Sequence, residues 1–381
     1  MATSYSPSIL GAEPAPAAVR RHYLFGPVVD FMTFGGLSLV LLPLMLLLPA
    51  SDGVTRSAML TTLLLSHVLN HPHFAHSYQI FYRGFGAKAF GPALGPVMRA
   101  RYLFAGLAVP LLIASYLGWA CANGNAQALG FAGNAMALFV GWHYVKQGYG
   151  LLMVDCALKR QFFSAADKRL LLVNCYAVWA GAWLWFNASA EKTDLLGLAY
   201  YAFDFPAWMV SGGLAVALTT TLAAALTLLR AWRSAGQLPF NGTAAYIASL
   251  YPWLLLIKLS PFWLLLVPAF HSLQYLGVVW RFEINREKAQ TRAQGQVAKP
   301  LLGASLSAHV AKFVLAAVLL GWLGFLILPG YLDNAVNYDK AAIGGSFFAF
   351  SALIFINVHH YFIDNVIWRR ENPESQKYLF A

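Results

Sequence analysis

Long runs of apolar residues separated by short polar segments extend along almost the whole chain. A helix needs about 20 apolar residues to cross the hydrocarbon core of a bilayer. The stretch 243–280 is too long for one crossing, and because prolines at 252, 261 and 268 interrupt it, we predict a helical hairpin that turns near Lys258 to Pro261. With this hairpin counted as two, the chain is predicted to make roughly ten crossings, at 25–50, 57–82, 102–121, 126–154, 170–186, 208–229, 243–280, 307–332 and 342–368.

Basic residues indicate which ends of the predicted helices face the cytoplasm. Cytoplasmic loops of membrane proteins carry an excess of Lys and Arg. Arg20 and Arg21 precede the first crossing, so its start is predicted to be cytoplasmic. All but six of the 26 basic residues then fall in cytoplasmic segments; the six are Arg56, Lys146, Lys192, Lys258, Lys312 and Lys340. The sequence therefore predicts an all-α, polytopic transmembrane bundle with both termini cytoplasmic, in a bacterial-type plasma membrane.

The composition agrees with a single transmembrane domain over residues 1–381. The chain is 59% hydrophobic and only 11% charged, whereas soluble proteins are about a quarter charged. This excludes a soluble enzyme with one anchor. Residues 1–19 lack Lys and Arg, so we predict a flexible tail and not a signal peptide. Residues 281–300 are predicted to form a basic cytoplasmic loop. The net charge of +11 reflects such basic loops, so we predict no nucleic-acid partner.

Eight of the ten histidines fall within four of the predicted crossings. With a rise of about 1.5 Å per residue, His271 lies about 15 Å from the basic edge of its helix, His360 about 14 Å and His71 about 18 Å. All eight are thus predicted to lie in the cytoplasmic half of the membrane. Ionisable side chains are costly in hydrocarbon and generally face the interior of a bundle. We therefore expect histidines from four helices to converge.

The spacing of these histidines suggests metal ligands. His67 and His71 are four residues apart and project from one helical face, which is how a helix offers two imidazoles to one ion. Pro72 should bend the helix and redirect His73 and His76 toward the same cavity. The predicted metal ligands are His67, His71, His76, His143, His271, His359 and His360, with His73 as a further candidate.

Three other polar residues are predicted to support or join the ligands. Asp364 lies four residues after His360, a spacing at which its carboxylate can orient the imidazole or bind the metal itself. Gln147 lies four residues after His143, and Gln274 lies three after His271. Both side-chain amides are candidates for hydrogen bonds to the ligating imidazoles. Ordinary hydrogen bonding between helices accounts for these two glutamines equally well.

The donors limit the choice of metal. Three cysteines are too few and too scattered for an iron–sulfur or structural zinc site, and imidazole suits iron, zinc, copper and nickel. More histidines are present than one ion needs. We therefore predict two iron ions, with zinc, copper or haem as alternatives.

With HxxxH at 67–71 and an HH pair near the end of the last crossing, the chain resembles the integral-membrane non-haem di-iron oxidoreductases. These include fatty-acid desaturases, alkane and lipid hydroxylases and, more loosely, the Brp/Blh-type carotene dioxygenases. The HxxHH motifs of desaturases are absent. His359 and His360 could form the HH of such a motif, but its first position is Ile356 and not a histidine. The resemblance implies dioxygen activation at iron and oxidation of a lipid-soluble substrate that enters from the bilayer, with an electron donor as a further partner.

Two other classes of function share these sequence features. A metal or proton transporter would also collect His and Asp residues inside the membrane. A haem-binding membrane subunit needs only two facing histidines. The sequence thus favours a metal-dependent oxygenase, desaturase or hydroxylase acting on a lipid or isoprenoid, with a transporter or a haem-binding subunit as the alternatives.

Overall fold

The computed structural model describes residues 22–45, 47, 51–189, 194–195, 198–251, 263–295 and 308–380. The predicted tail (1–19), the predicted hairpin turn near Lys258 to Pro261 and the end of the basic segment (296–300) lie outside these residues. Within them the protein is helical, as predicted, apart from a short antiparallel pairing of β1 (Asp194–Leu195) with β2 (Leu198–Ala199).

The helices share one irregularity, in that several are interrupted by a π turn and continue beyond it. In chain order the α-helices are α1 (Pro27–Phe31), α2 (Leu37–Met45), α3 (Asp52–Leu65), α4 (His71–Tyr82), α5 (Phe85–Phe90), α6 (Pro96–Leu103), α7 (Val109–Ala122), α8 (Ala126–Lys159), α9 (Ala165–Ser189), α10 (Ala207–Ala235), α11 (Phe240–Tyr251), α12 (Trp263–Ala293), α13 (Ala308–Trp322), α14 (Leu328–Ala335), α15 (Lys340–Ile343), α16 (Phe347–Ile367) and α17 (Pro373–Leu379). The π turns in the described residues are Met32–Gly36, Ser66–Asn70, Phe104–Ala108 and Leu323–Ile327.

Six helical stretches are long and apolar enough to cross a membrane, within the part of the chain that the structure describes. They are Pro27–Leu44, Pro96–Ala122, Ala165–Ser189, Ala207–Ala235, Ala308–Ala335 and Phe347–Ile367. Each coincides with a predicted crossing. The remaining predicted crossings correspond to α3 with α4, to α8, and to the region of α11 and α12. Together with the π turn between α3 and α4, these helices contain six of the histidines. The count of ten crossings and the cytoplasmic termini stay predictions.

Prolines explain three of the π turns. Pro72, Pro110 and Pro329 each stand at the second residue of the α-helix that follows a π turn. A proline ring clashes with the carbonyl four residues earlier, and here that carbonyl lies inside the π turn, whose wider helix makes room for it. The bend expected at Pro72 is therefore a π turn. Its additional residue changes which side chains of α4 face the bundle.

The basic segment that begins at residue 281 is helical at its start, so the prediction of a loop is wrong for 281–293. α12 continues through this segment because it contains no Gly or Pro and is rich in Arg, Glu, Lys and Gln, which favour helices. Gly295 follows with a φ of 71°, the left-handed conformation that commonly ends a helix.

The four helices α4, α8, α12 and α16 meet at the centre of the bundle. α16 packs on both α4 and α8, and α12 packs on α4. α9 and α11 cover α8, while α13 covers α4. Side chains on the inner faces of the four central helices are consequently shielded by protein.

Ion pairs collect at one end of these helices. Glu283 on α12 is fully buried and contacts Arg83 at 2.9 Å and His309 at 2.8 Å. Burial alone would raise the pKa of Glu283, but the charge of Arg83 and the hydrogen bond with His309 lower it below its ordinary value. Lys88 pairs with Glu374 at 2.8 Å. The basic ends of α4 and α12 and the C-terminal segment therefore lie on the same side of the bundle.

Gly35 allows the first helical segment, which comprises α1, the π turn Met32–Gly36 and α2, to approach α11 closely. Its φ is 155°, and a Cβ atom at this position would lie 2.6 Å from Cβ of Ala248 and 3.0 Å from the carbonyl oxygen of Ala244. We expect Gly35→Ala to lower the free energy of unfolding by about 1–3 kcal/mol, seen as a lower Tm in detergent. Gly150→Ala is the control, because a Cβ there meets no atom of the described residues within 4 Å. Equal Tm values for the two variants would contradict the close approach.

Candidate metal centre

Four histidines, one from each central helix, converge inside the bundle. They are His73 on α4, His143 on α8, His271 on α12 and His360 on α16. Each offers one ring nitrogen, and these four atoms all lie within 4.8 Å of one another. All four side chains are buried. Among the described residues this is the one group of His, Cys, Asp and Glu side chains arranged to hold a metal ion.

The distances within the group suit a single ion. Nε2 of His360 lies 3.1 Å from Nε2 of His73 and 3.3 Å from Nε2 of His143. Metal–nitrogen bonds of about 2.1 Å place two ligand nitrogens about 3.0 Å apart at a right angle and about 3.4 Å apart at the tetrahedral angle. Neither of these two pairs leaves room for the flat macrocycle of a haem between its nitrogens.

Several nitrogens of the group have no other partner. Both ring nitrogens of His271 and Nδ1 of His360 are buried without a hydrogen bond to any residue that the structure describes. Burying an unsatisfied polar atom costs about 1–3 kcal/mol. A bound cation would offset this cost at one nitrogen of His271, because it accepts the single free lone pair of a neutral imidazole. The donors therefore fit a metal ion chemically as well as geometrically.

Hydrogen bonds prepare His73 to bind through Nε2. Its Nδ1 lies 2.9 Å from the carbonyl oxygen of Asn70, which can only accept, so Nδ1 carries the proton. The lone pair of the neutral ring is then on Nε2, which faces the other histidines. Ser272 Oγ lies 3.0 Å from the same Nδ1 and donates to the Asn70 side chain or the Pro268 carbonyl.

Removal of the Ser272 hydroxyl should weaken metal binding without abolishing it. Hydrogen-bond partners of metal-bound histidines typically contribute 10–100-fold to affinity. Because Asn70 still holds the His73 tautomer in Ser272→Ala, we expect a loss at the low end, about tenfold, in a metal titration of the purified protein. Ser211→Ala is the control, since the exposed Ser211 hydroxyl donates, within the described residues, to carbonyls of its own helix. A loss of the same size in both variants would contradict the role of Ser272.

Aromatic rings hold the imidazoles in place. Tyr144 stacks on His271 with ring centroids 3.9 Å apart, and Tyr361 stacks on His143 at 4.5 Å. Such packing restricts the rotamers of buried ligands and gives a preformed site.

Asp364 stands beside the four histidines. Its Oδ2 lies 3.4 Å from Nε2 of His360 and 3.8 Å from Nε2 of His143. Its Oδ1 accepts a hydrogen bond of 2.9 Å from the Tyr275 hydroxyl. The structure thus brings the predicted Asp364 together with His73, which the sequence offered as a further candidate, and with the predicted ligands His143, His271 and His360.

Gln147 and Gln274 form hydrogen bonds to backbone carbonyls and to each other, and not to the imidazole rings. Gln147 donates to the carbonyl oxygen of His271 at 2.9 Å and to Oε1 of Gln274 at 3.1 Å. Gln274 in turn donates to the carbonyl of Phe34. These amides tie α12, which carries His271, to α8 and to the first helical segment.

His67 and His71, the predicted HxxxH pair, lie outside the group. Nδ1 of His67 lies 2.6 Å from the carbonyl oxygen of Leu63 on its own helix. The ring of His71 stacks on Phe325, with centroids 4.4 Å apart. The π turn before α4 is the reason, since it turns His73 and not His71 toward the centre.

His76 and His359 also lie outside the group, and each has hydrogen-bond partners at both ring nitrogens. His76 bonds to Gln79 at 2.9 Å and accepts from Trp280 at 3.2 Å. His359 bonds to the Tyr78 hydroxyl and to a backbone carbonyl, both at 2.9 Å. Their nitrogens are therefore engaged by protein.

Four residues that hold the ligands were not predicted from the sequence: Asn70, Ser77, Ser272 and Tyr275. Ser77 lies four residues after His73, and Tyr275 lies four after His271. This spacing places each on the same helical face as a ligand and is the signal that could have identified them.

A small cavity adjoins His271 on the side of the first helical segment. It has room for a molecule of about the size of water, and Leu42, Tyr144, Phe270 and Gln274 are among its lining residues. The cavity therefore leaves space for about one water molecule beside His271.

Comparison of the chain with protein-family models, with curated proteins and with solved structures finds no match. The resemblance to membrane desaturases and hydroxylases therefore stays an expectation. Function must be argued from the chemistry of the site, since a helical bundle alone does not define one.

Proposed function

We propose that this protein is a membrane-embedded oxidoreductase that uses one histidine-ligated iron ion to oxidise a lipid-soluble substrate. The observation that carries the proposal is the convergence of four buried imidazoles, from four helices, with a carboxylate beside them. The sequence suggested two ions. We propose one ion, because the four-histidine group supplies donors for one. The other predicted ligands, His67, His71, His76 and His359, lie outside this group.

The donor set supports iron among the available metals. Neutral imidazoles with a carboxylate suit iron, and zinc and copper compete for the same donors. A redox-active ion in this place would supply dioxygen activation and one-electron chemistry, which protein side chains cannot provide. The chain's own contribution is to fix the ring nitrogens, to keep bulk water away and to hold a carboxylate within reach of the reacting atoms.

The surroundings of the centre support a lipid-soluble substrate. The four histidines are buried among helices whose outer surfaces are apolar. The adjoining cavity is lined largely by apolar and aromatic side chains and is small, so a lipid or isoprenoid would enter by displacing them. A substrate dissolved in the bilayer reaches such a site without crossing water.

We also propose that the ten crossings and cytoplasmic termini predicted from the sequence describe the protein in a bacterial-type plasma membrane. The gathering of Arg83, Lys88 and Glu283 at one end of the bundle supports a common cytoplasmic side. An electron donor would then reach the centre from that side.

The proposal is tested by oxidation of lipids in a defined membrane. Protein loaded with Fe²⁺ is placed in nanodiscs containing fatty-acyl and isoprenoid lipids, supplied with a reductant and dioxygen, and the extracted lipids are analysed by mass spectrometry. We expect a lipid that gains oxygen or loses two hydrogens, and none in the His360→Ala variant. Iron-loaded protein that oxidises no lipid beyond the level of this variant would contradict the proposal.

A further inference from the structure

We propose that Asp364 is a fifth ligand of the metal ion, and that Tyr275 is the positioning residue that holds its carboxylate. The inference rests on the proposed function in one respect, namely that a metal ion binds the four histidines. It does not depend on the reaction or on the identity of the substrate.

The place of the carboxylate distinguishes a ligand from an orienting group. A carboxylate that orients a metal-bound histidine accepts a hydrogen bond from the ring nitrogen that does not bind the metal. Oδ2 of Asp364 instead approaches Nε2 of His360 at 3.4 Å and Nε2 of His143 at 3.8 Å. These Nε2 atoms are the ones that face the other ligands. Asp364 is therefore on the metal side of both rings.

The oxygen that faces the histidines is buried. Asp364 is 4% exposed, and its Oδ2 makes no hydrogen bond to any described residue. Two ligand atoms at a right angle on one ion lie about 3.0 Å apart, so a small adjustment brings Oδ2 to a ligand position.

Charge also favours a carboxylate ligand. Four neutral imidazoles leave the full charge of a divalent ion in an apolar interior, where an uncompensated charge is costly. One carboxylate lowers the net charge of the centre from +2 to +1. Among the described residues, Asp364 is the acidic residue in contact with this group, at His143 and His360.

Tyr275 determines which oxygen is available. Its hydroxyl donates to Oδ1 of Asp364 at 2.9 Å and also contacts Ser77 Oγ at 2.5 Å. The Tyr275 ring meets the edge of His73, with centroids 5.1 Å apart, so the ring is fixed by the site itself. With Oδ1 occupied, the carboxylate presents Oδ2 alone to the ion. Ligating carboxylates are commonly held by such an outer hydrogen bond.

The test uses Co²⁺ as a spectroscopic probe in the full-length protein, with no activity measurement. The visible bands of Co²⁺ are more intense in four-coordinate than in five-coordinate sites, so they report the loss of one ligand. We expect a five-coordinate spectrum for the wild type. Asp364→Asn should bind Co²⁺ at least about tenfold more weakly and give the more intense four-coordinate bands. Asp333→Asn is the matched control, since Asp333 is a buried carboxylate that caps α16 at Phe348 and Ala349.

A second substitution at the same position gives a positive signal. If residue 364 binds the ion, Asp364→Cys places a thiolate on Co²⁺ and adds a sulfur-to-metal charge-transfer band in the near ultraviolet. Asp333→Cys should add none. The three native cysteines are present in both proteins and cancel in the comparison.

The positioning role of Tyr275 is tested separately. Tyr275→Phe should keep bound Co²⁺ but shift its bands and weaken binding by about tenfold, because the carboxylate can then rotate. Tyr246→Phe, which removes a buried hydroxyl that bonds to Asn174, should change neither. A Tyr275→Phe variant with the wild-type spectrum and affinity would remove Tyr275 from the proposal.

The outcomes separate the two proposals. A wild-type protein that binds no Co²⁺ overturns both the metal centre and the fifth ligand. A wild-type protein that binds Co²⁺, while Asp364→Asn leaves the spectrum unchanged and Asp364→Cys adds no band, overturns the fifth ligand alone.

Discussion

Replacement of His360 by alanine is expected to remove the bound metal, whereas replacement of its neighbour His359 is expected to leave it in place. The two residues are adjacent on α16, but the helix points them in different directions. His360 is fully buried, and its Nε2 lies between those of His73 and His143. His359 is bonded to Tyr78 on one side of its ring and to a backbone carbonyl on the other.

We expect the loss of the His360 imidazole to lower metal affinity by more than the 10–100-fold that removal of an outer hydrogen bond typically causes. The measurement is the metal content of folded, monodisperse protein after loading and desalting. We expect His359→Ala to lower the free energy of unfolding by about 1–3 kcal/mol, because the Tyr78 hydroxyl loses its hydrogen-bond partner. The metal content is therefore expressed per folded chain. Equal metal loss in the two variants would show that the centre lies elsewhere or depends only on helix packing.

A second pair of substitutions, in α4, should give an equally large difference. His73→Ala is expected to abolish metal binding, while His71→Ala is expected to keep it. His73 contributes Nε2 to the group and is held in the correct tautomer by the Asn70 carbonyl. His71 stacks on Phe325, outside the four-histidine group. The readout is again metal per folded chain, together with Co²⁺ affinity.

This pair of variants distinguishes two interpretations of one short segment. The HxxxH spacing of His67 and His71 predicts that His71 is a ligand, whereas the π turn predicts His73. Metal loss in His71→Ala with metal retained in His73→Ala would support the spacing and contradict the folded arrangement.

The helical architecture could be predicted from the sequence because it depends on local composition. Apolar runs locate helices whatever their neighbours, and six of the predicted crossings reappear as long apolar helices. The basic segment after residue 281 was the exception. There, polarity suggested a loop, although its residues are good helix formers and α12 continues to Ala293.

Only some of the histidines in the metal centre could be predicted from the sequence. His143, His271 and His360 could be identified because isolated or terminal histidines in apolar helices face the interior. His73 was ranked below His71, because the bend expected at Pro72 does not by itself reveal the additional residue of a π turn. His76 and His359 were included because a count of histidines cannot reveal which ones bond to protein.

For the same reason, the sequence suggested more ions than we propose. Seven candidate ligands suggested two irons, but the fold brings together four histidines from four helices. Contacts between residues hundreds of positions apart, such as His73 with His360 or Tyr275 with Asp364, depend on how helices pack and leave no local signal.

The number of metal ions bound per folded chain is the decisive quantity. Purified protein is loaded anaerobically with Fe²⁺, freed of excess metal and measured by elemental analysis, beside a variant with alanine at His73, His143, His271 and His360. One ion per wild-type chain and almost none in the variant is the predicted result. Two ions per wild-type chain, none at all, or one that persists in the variant would contradict a single iron held by these four histidines.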